Sequence, residues 1–328
     1  MRRCFFVLSF FILGIPLGWC DPIQEDPYFQ DVTTEAWRRY DQAQKKTFAT
    51  NTVEIINPDE LKTEFKKGVK WEGKREYKKA AKAYVRALSY SPIYPASAEI
   101  LWRLAQCYEK QFRWVDAFET YADLYKKYPA YDLAIAAPQR QFRVAGILAQ
   151  GKEKVVLSYA TELFYVDIAK ELYEKLQKQI PQSPLAGRCQ FEIGNIGKKK
   201  KAFREASQAY YEVILNYPRH PLVPRALFES GFAASRAVRG ASYDADSINK
   251  VIKRFRRFIK EYPTDKKVFA AQEILKEMEE LQAEKLFQTA QFYMKQGDRK
   301  AAQIYFHELV KEYPSSLWAK NIKQISKE

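Results

Sequence analysis

The strongest constraint on the fold is a proline-closed pattern that recurs six times after residue 60. Each copy has an aromatic residue eight positions before its proline and, in five copies, an alanine twelve positions before it. The prolines are Pro92, Pro129, Pro181, Pro218, Pro263 and Pro314; the aromatic residues are Tyr84, Tyr121, Tyr173, Tyr210, Phe255 and Phe306; the earlier residues are Ala80, Ala117, Ala169, Ala206, Val251 and Ala302. A small residue lets two helices cross closely, a ring fills the space beside the crossing, and proline stops the helix. The pattern predicts a series of helix hairpins.

The spacing resembles that of the tetratricopeptide repeat (TPR), and the second copy fits it throughout. Its matching residues are Leu101, Leu104, Ala105, Tyr108, Ala117, Tyr121, Leu124 and Pro129. We therefore predict an all-α fold, a right-handed TPR superhelix of about six hairpins over residues 60–328, with repeats ending near 92, 129, 181, 218, 263 and 314. Extra residues are expected at about 146–160, 238–247 and 264–282. The last stretch is predicted to be a long first helix.

The first twenty residues predict a signal peptide. Arg2 and Arg3 precede a short apolar run that ends at Cys20, and the run falls short of the roughly 20 residues that span a bilayer. Cys20 resembles the acylated cysteine of bacterial lipoproteins, although Trp19 stands where a small residue normally precedes it. Plain cleavage after Cys20 and an uncleaved anchor are the alternatives. Residues 21–59 are predicted to form an N-terminal tether and cap.

Composition argues against catalysis. The chain has 2 His and 12 Gly, which leaves little material for metal ligands, acid–base pairs or phosphate-binding loops. The stretch from Gly194 to Lys198 lacks the full phosphate-loop pattern, and we place it in the turn between two helices of the fourth repeat. Cys107 and Cys189 are predicted to be buried apolar residues rather than a disulfide. We expect no enzyme activity, no cofactor and no metal site.

The net charge of +15 requires separate interpretation. Five basic residues between 253 and 260 alternate with an apolar stripe that contains Ile252, Phe255 and Ile259, so the basic residues are expected on the solvent side of one helix. A solvated face is one explanation; an acidic protein partner or an anionic membrane surface is the other. An export signal argues against nucleic acid as a partner.

The first helices of a TPR superhelix line its concave groove. Aromatic residues occupy the groove-facing fifth position at Phe65, Trp102 and Phe191, with Gln106 and Asn195 at the ninth position of their repeats. This set predicts a groove for an extended apolar or aromatic peptide. Alternatively, the rings pack against adjacent helices of a closed solenoid.

The C-terminal half resembles the BamD (YfiO) family of outer-membrane assembly lipoproteins. The resemblance rests on Phe255–Pro263, on Leu281–Lys285 followed by Ala290–Tyr293, and on Tyr313–Ser316. It implies a non-catalytic component of the β-barrel assembly machinery, lipid-anchored at the periplasmic face of the outer membrane. The implied partners are a BamA-like barrel subunit, bound through its POTRA domains, other proteins of the machinery, and aromatic-ended segments of unfolded outer-membrane proteins. We assign the partner face to Arg254, Arg257, Phe287 and Gln291.

A second interpretation stays open. Periplasmic TPR scaffolds of another envelope system, of the Tol-Pal-associated type, share these repeat endings. They usually carry an N-terminal coiled coil and near-34-residue spacing. Neither feature is evident here, which favours the assembly interpretation.

Overall fold

The computed structural model describes residues 57–90, 95–151, 162–238 and 245–325. The predicted signal peptide, Cys20 and nearly all of the predicted tether lie outside these ranges, as do large parts of the extra stretches expected near 146–160 and 238–247. Within them the chain forms thirteen helices and no strand. They are α1 (Pro58–Gly73), α2 (Tyr77–Tyr90), α3 (Pro95–Lys110), α4 (Trp114–Lys127), α5 (Asp132–Gln150), α6 (Glu162–Gln179), α7 (Pro184–Lys199), α8 (Phe203–Asn216), α9 (Val223–Val238), α10 (Ala245–Glu261), α11 (Val268–Lys295), α12 (Arg299–Glu312) and α13 (Leu317–Ile325).

The helices pair in sequence order. Each helix from α1 to α12 packs chiefly on the helices before and after it in the chain, and α13 closes the end against α11 and α12. Odd-numbered helices from α1 to α11 are the first helices of six hairpins, and even-numbered helices are the second. First helices of neighbouring hairpins also meet, as α3 meets α5 and α5 meets α7. This is the all-α TPR solenoid that the sequence predicts.

The repeated small and aromatic residues form the contacts between helices. All six residues twelve positions before the prolines are fully buried, from Ala80 in α2 to Ala302 in α12. Tyr84, Tyr121, Tyr173 and Tyr210 are among the largest fully buried side chains. The small residue and the ring lie one helical turn apart on the same side of a second helix, so each hairpin turns the same pair towards its first helix. In the last hairpin the ring, Phe306, is only partly buried.

Gly194 corrects the expected turn of the fourth repeat. Residues 194–198 lie inside α7, and no turn begins before Lys200. A Cβ on Gly194 would lie 2.6 Å from Cδ1 of Tyr210, and one on Gly197 would lie 3.1 Å from the backbone of Ala206. Glycine is present because two helices touch there, and not because the chain reverses.

The long first helix predicted over 264–282 is confirmed. Helix α11 has 28 residues, and Ala271 and Met278 in its first half pack into a core shared with α8, α9 and α10. Ala283 and Leu286 in its second half pack into a separate core with α12 and α13. One helix thus belongs to two hydrophobic cores.

Candidate functional site

The aromatic rings of the predicted groove are buried between the helices of their own hairpins. Phe65, Trp102 and Phe191 are 5%, 3% and 2% exposed. Their ring centroids lie 6.0, 5.2 and 5.0 Å from the second-helix tyrosines of the same hairpins, Tyr84, Tyr121 and Tyr210. The expectation that these rings offer an open stacking surface is therefore corrected in favour of the closed-solenoid alternative.

The polar residues of the predicted groove keep some access to solvent. Gln106 and Asn195 are both partly exposed. The hydroxyl of Tyr210 donates a hydrogen bond to Oδ1 of Asn195 at 2.6 Å, and Nδ2 of Asn195 donates one to Glu192 at 3.0 Å. Asn195 therefore orients the buried tyrosine, and peptide binding beside it stays a prediction.

Two of these rings, Trp102 and Phe191, are covered on the side of the next hairpin by a cation. The guanidinium carbon of Arg140 lies 5.5 Å from the centroid of Trp102, and that of Arg225 lies 5.0 Å from the centroid of Phe191. Two further units have the same form: Arg188 lies 4.8 Å from Phe142, whose ring packs on Tyr173, and Lys267 lies 4.3 Å from Phe228, whose ring packs on Phe255. We call these four sets the cation–aromatic units. Each joins three successive helices through a second-helix ring, a first-helix ring and a cation from the following hairpin.

Glu229 in α9 is clamped between two lysines. Its two carboxylate oxygens accept hydrogen bonds at 2.7 Å, one from Lys198 and one from Lys267. The residue is only 7% exposed, and burial alone would raise the pKa of its carboxyl. The two ammonium groups outweigh burial and hold that pKa below its ordinary value, so Glu229 stays ionised.

A second buried ion cluster ties the N-terminal hairpins together. Arg103 in α3 is 8% exposed, and its guanidinium binds Glu99 at 2.5 Å and Glu72 of α1 at 3.2 Å. The hydroxyl of Tyr84 also donates a hydrogen bond to Glu72. Arg103 is thus paired with two carboxylates of the chain itself.

The predicted partner face separates into a structural residue and three accessible ones. Arg254 does not lie on the solvent side of α10: its guanidinium donates to the carbonyl of Ser230 at 3.1 Å and stacks 4.6 Å from the ring of Tyr211. Burial lowers the pKa of this guanidinium. Arg254 was expected to contact a partner, and instead it fastens α10 to α8 and α9.

The other three members of the face remain accessible. Arg257 is exposed and pairs with Glu261 at 2.8 Å, and Gln291 is exposed on α11. Phe287 is partly covered, because its ring packs 4.8 Å from that of Trp318 in α13. Beyond Gln291, the large apolar side chains of Phe292, Met294 and Ile304 are 55%, 46% and 65% exposed. The last hairpin therefore exposes large apolar side chains on both of its helices.

Sequence reasoning missed the arginines of the cation–aromatic units. Arg188 and Arg225 each stand three residues before a first-helix phenylalanine, and Arg140 stands two residues before one. That spacing is a usable signal, but it is visible only once the phenylalanines are assigned to the first helices.

Among the described residues, no helix combines the length and the apolar character needed to cross a bilayer. Comparison with protein families gives two matches: residues 165–322 match the family described as YfiO, outer membrane lipoprotein, and residues 99–131 match the tetratricopeptide repeat. No curated protein matches the chain in sequence.

Several solved structures are similar over much of their length. PilF of Pseudomonas aeruginosa is 13% identical, with 81% of this chain and 97% of that chain covered and a TM-score of 0.31. A tetratricopeptide repeat protein of Parabacteroides merdae is 12% identical, with coverage of 82% and 98% and a TM-score of 0.31. A thermophilic TPR protein of Thermus thermophilus is 14% identical, with coverage of 66% and 98% and a TM-score of 0.31. At these TM-scores the three structures carry no argument about function.

The two family matches agree with the geometry, because the YfiO match runs from α6 to α13 and the TPR match lies on the hairpin of α3 and α4. Residues 165–322 of this chain therefore match the YfiO family of outer membrane lipoproteins, and they continue a TPR solenoid that begins before them.

Proposed function

We propose that the chain is a non-catalytic component of the machinery that assembles β-barrel proteins in the outer membrane. The observation that carries the proposal is the YfiO family match over residues 165–322, which contains all four residues of the predicted partner face. The exposed apolar side chains of the last hairpin, Phe292, Met294 and Ile304, support a protein contact there, because large apolar side chains are costly to leave in water.

The proposed partner is the barrel subunit of the machinery, bound through its POTRA domains at the surface that carries Arg257, Phe287 and Gln291. The proposed anchor is an acyl group on Cys20, which would hold the solenoid at the periplasmic face of the outer membrane. Several acyl chains on one cysteine hold a protein firmly, whereas a single chain binds only marginally.

A site-directed crosslink tests the partner. A photoreactive residue at Gln291 should recover a barrel protein with POTRA domains from the envelope, whereas the same residue at Lys82, exposed on α2 at the far end of the solenoid, should not. Recovery of peptidoglycan-associated or Tol-Pal components from Gln291 would replace the proposal with the scaffold alternative. Equal recovery of the barrel protein from Gln291 and from Lys82 would show that the predicted partner face is not the specific contact.

The anchor is tested separately. Mass spectrometry of the mature N-terminus should find an acylated Cys20, and the variant Cys20→Ala should leave the membrane fraction without losing its helical circular dichroism. A mature chain that begins with an unmodified Asp21 would exclude the anchor and leave the partner assignment untouched.

Reception of aromatic-ended segments of unfolded outer-membrane proteins is the finer part of the proposal. The buried rings cannot supply the contact, so it would fall on accessible polar groups such as Gln106. A labelled aromatic-ended peptide should bind the Gln106→Ala variant more weakly than the Gln303→Ala variant, since Gln303 is exposed on α12, away from the first helices. If the peptide bound both variants with equal affinity, Gln106 would not be part of the peptide-binding surface.

A further inference from the structure

The three arginines of the cation–aromatic units are positively charged groups without a carboxylate partner among the described residues. Arg140, Arg188 and Arg225 contact rings, but none of them forms an ion pair with a described Asp or Glu side chain. Arg188 and Arg225 are exposed, and Arg140 is partly exposed. A guanidinium stacked on a ring keeps its hydrogen-bonding edge free for an acceptor.

Other cations of the chain are already paired with its own carboxylates. Lys267, the cation of the fourth unit, covers the ring of Phe228 but also binds Glu229. Arg103, which belongs to none of the units, binds Glu99 and Glu72. The three arginines of the units therefore differ from both, because they have no such carboxylate.

We call these three arginines the row, and the row follows the first helices. Arg140, Arg188 and Arg225 lie on α5, α7 and α9, the first helices of three successive hairpins, and each covers the first-helix ring of the hairpin before it. Because the units repeat with the hairpins, we expect the three charges to follow one another along one side of the solenoid. Such a succession suits an extended chain better than a broad bilayer surface.

We propose that this row binds an extended acidic polypeptide segment, with one carboxylate of the segment for each hairpin. Packed helices lie about 10 Å apart, and an extended chain advances about 3.3 Å per residue. The matching ligand therefore carries an acidic residue at about every third position. The chain's net charge of +15 favours the approach of such a segment. This inference does not depend on the assembly role proposed above.

The test uses the full chain in mild detergent and two fluorescein-labelled peptides of the same composition. One peptide repeats Asp-Ser-Ser three times; the other places its three Asp residues together. Fluorescence anisotropy should show tighter binding of the spaced peptide, and the binding should weaken as salt is added. Equal binding of the two peptides, or no binding of either, would overturn the proposal.

The variants locate the site. Changing Arg140, Arg188 and Arg225 together to Gln should weaken binding of the spaced peptide about tenfold, which is the sum expected of three partly exposed charge contacts. The matched control changes Lys82, Lys126 and Lys253 to Gln, which removes the same charge from exposed positions on the second helices α2, α4 and α10. The control should bind as the parent does. An equal loss in both triple variants would reduce the effect to net charge and overturn the assignment.

A vesicle sedimentation experiment distinguishes an acidic peptide from an anionic membrane as the partner of the row. If the arginine variant loses sedimentation with phosphatidylglycerol vesicles and keeps its affinity for the peptide, the row is a membrane contact and the peptide assignment is wrong. Thermal unfolding of both triple variants is measured in parallel. Weaker peptide binding by an arginine variant that is still folded supports the proposal. Unchanged peptide affinity together with unchanged vesicle binding would leave the row with a structural role only.

Discussion

At the scale of single residues, two helix glycines leave room for tyrosine rings that an added methyl group would meet. Gly68 and Gly194 occupy the same place in the first and fourth hairpins, and each faces the buried tyrosine of the following helix, Tyr84 or Tyr210. Those rings have no room to move, because they are fully buried and their hydroxyls are hydrogen-bonded. Glycine in a sequence commonly signals a turn, and for that reason Gly194 was expected in one.

Replacing Gly194 or Gly68 by alanine should lower the free energy of unfolding by about 1–3 kcal/mol, since the added methyl group overlaps a fixed ring. Urea unfolding followed by circular dichroism measures the change. Gly73 is the matched control, because a Cβ there meets nothing within 4 Å. Gly73→Ala should be neutral or slightly stabilising. If alanine changed the free energy of unfolding equally at Gly68, Gly194 and Gly73, the tyrosine rings would have to move aside for the added methyl group.

At the scale of elements, the helices are joined by charge as well as by apolar packing. Glu229 connects α9 to α7 through Lys198 and to the start of α11 through Lys267. The lysines are 36% and 39% exposed, so their desolvation is partial and the clamp stabilises only moderately. The clamp nevertheless fixes three hairpins with one carboxylate, which the sequence did not reveal because its members are 31 and 38 residues apart.

Glu229→Gln should lower the free energy of unfolding at pH 7 by about 1–2 kcal/mol. The folded-state pKa of Glu229 is lowered, so its stabilisation is present above the unfolded pKa and is lost as the pH falls through the folded value. The difference between parent and variant should therefore shrink below about pH 4. Thermal unfolding from pH 7 to pH 3 measures it.

Glu261→Gln is the control for this pH series, because Glu261 forms an exposed pair with Arg257. It should change the free energy of unfolding by less than about 1 kcal/mol at pH 7. A constant difference between parent and Glu229→Gln at all pH values would mean that the variant acts through packing and not through charge.

At the scale of the whole molecule, the described contacts are almost all between neighbours in the chain. Stability in such a solenoid is the sum of the hairpins and the interfaces between them. A local defect should therefore stay local, which distinguishes this architecture from a globular domain with one core.

Ala117→Leu and Ala302→Leu test this locality, because each overfills a fully buried helix crossing and should cost about 1–3 kcal/mol. In hydrogen-exchange mass spectrometry, Ala117→Leu should speed exchange in α3–α5 and leave α11–α13 unchanged. Ala302→Leu should do the reverse. Uniform acceleration along the chain in either variant would show a single cooperative unit.

The fold could be predicted from sequence because each hairpin repeats the same local signals. The small residue at a crossing, the ring one turn later and the closing proline are all within one helix of each other. The structure buries the small residues and most of the rings as expected, whereas the described prolines are exposed after the second helices. The surfaces were predicted less well. Trp102 and Phe191 were assigned to a groove by analogy of position, but tyrosines of the neighbouring helix cover them. Arg254 stands among exposed bases, and only its contacts with α8 and α9 show that it is structural.

Helix α11 has a mechanical consequence, because it takes part in two separate cores. At 28 residues it is a rod of about 42 Å, and a helix of that length resists bending far more than a loop does. A partner that pulls on or rotates the terminal hairpin therefore turns the rod as a whole. The torque reaches the core between α9 and α10 with no hinge in between, so force applied at the terminal hairpin is felt in the hairpin before it.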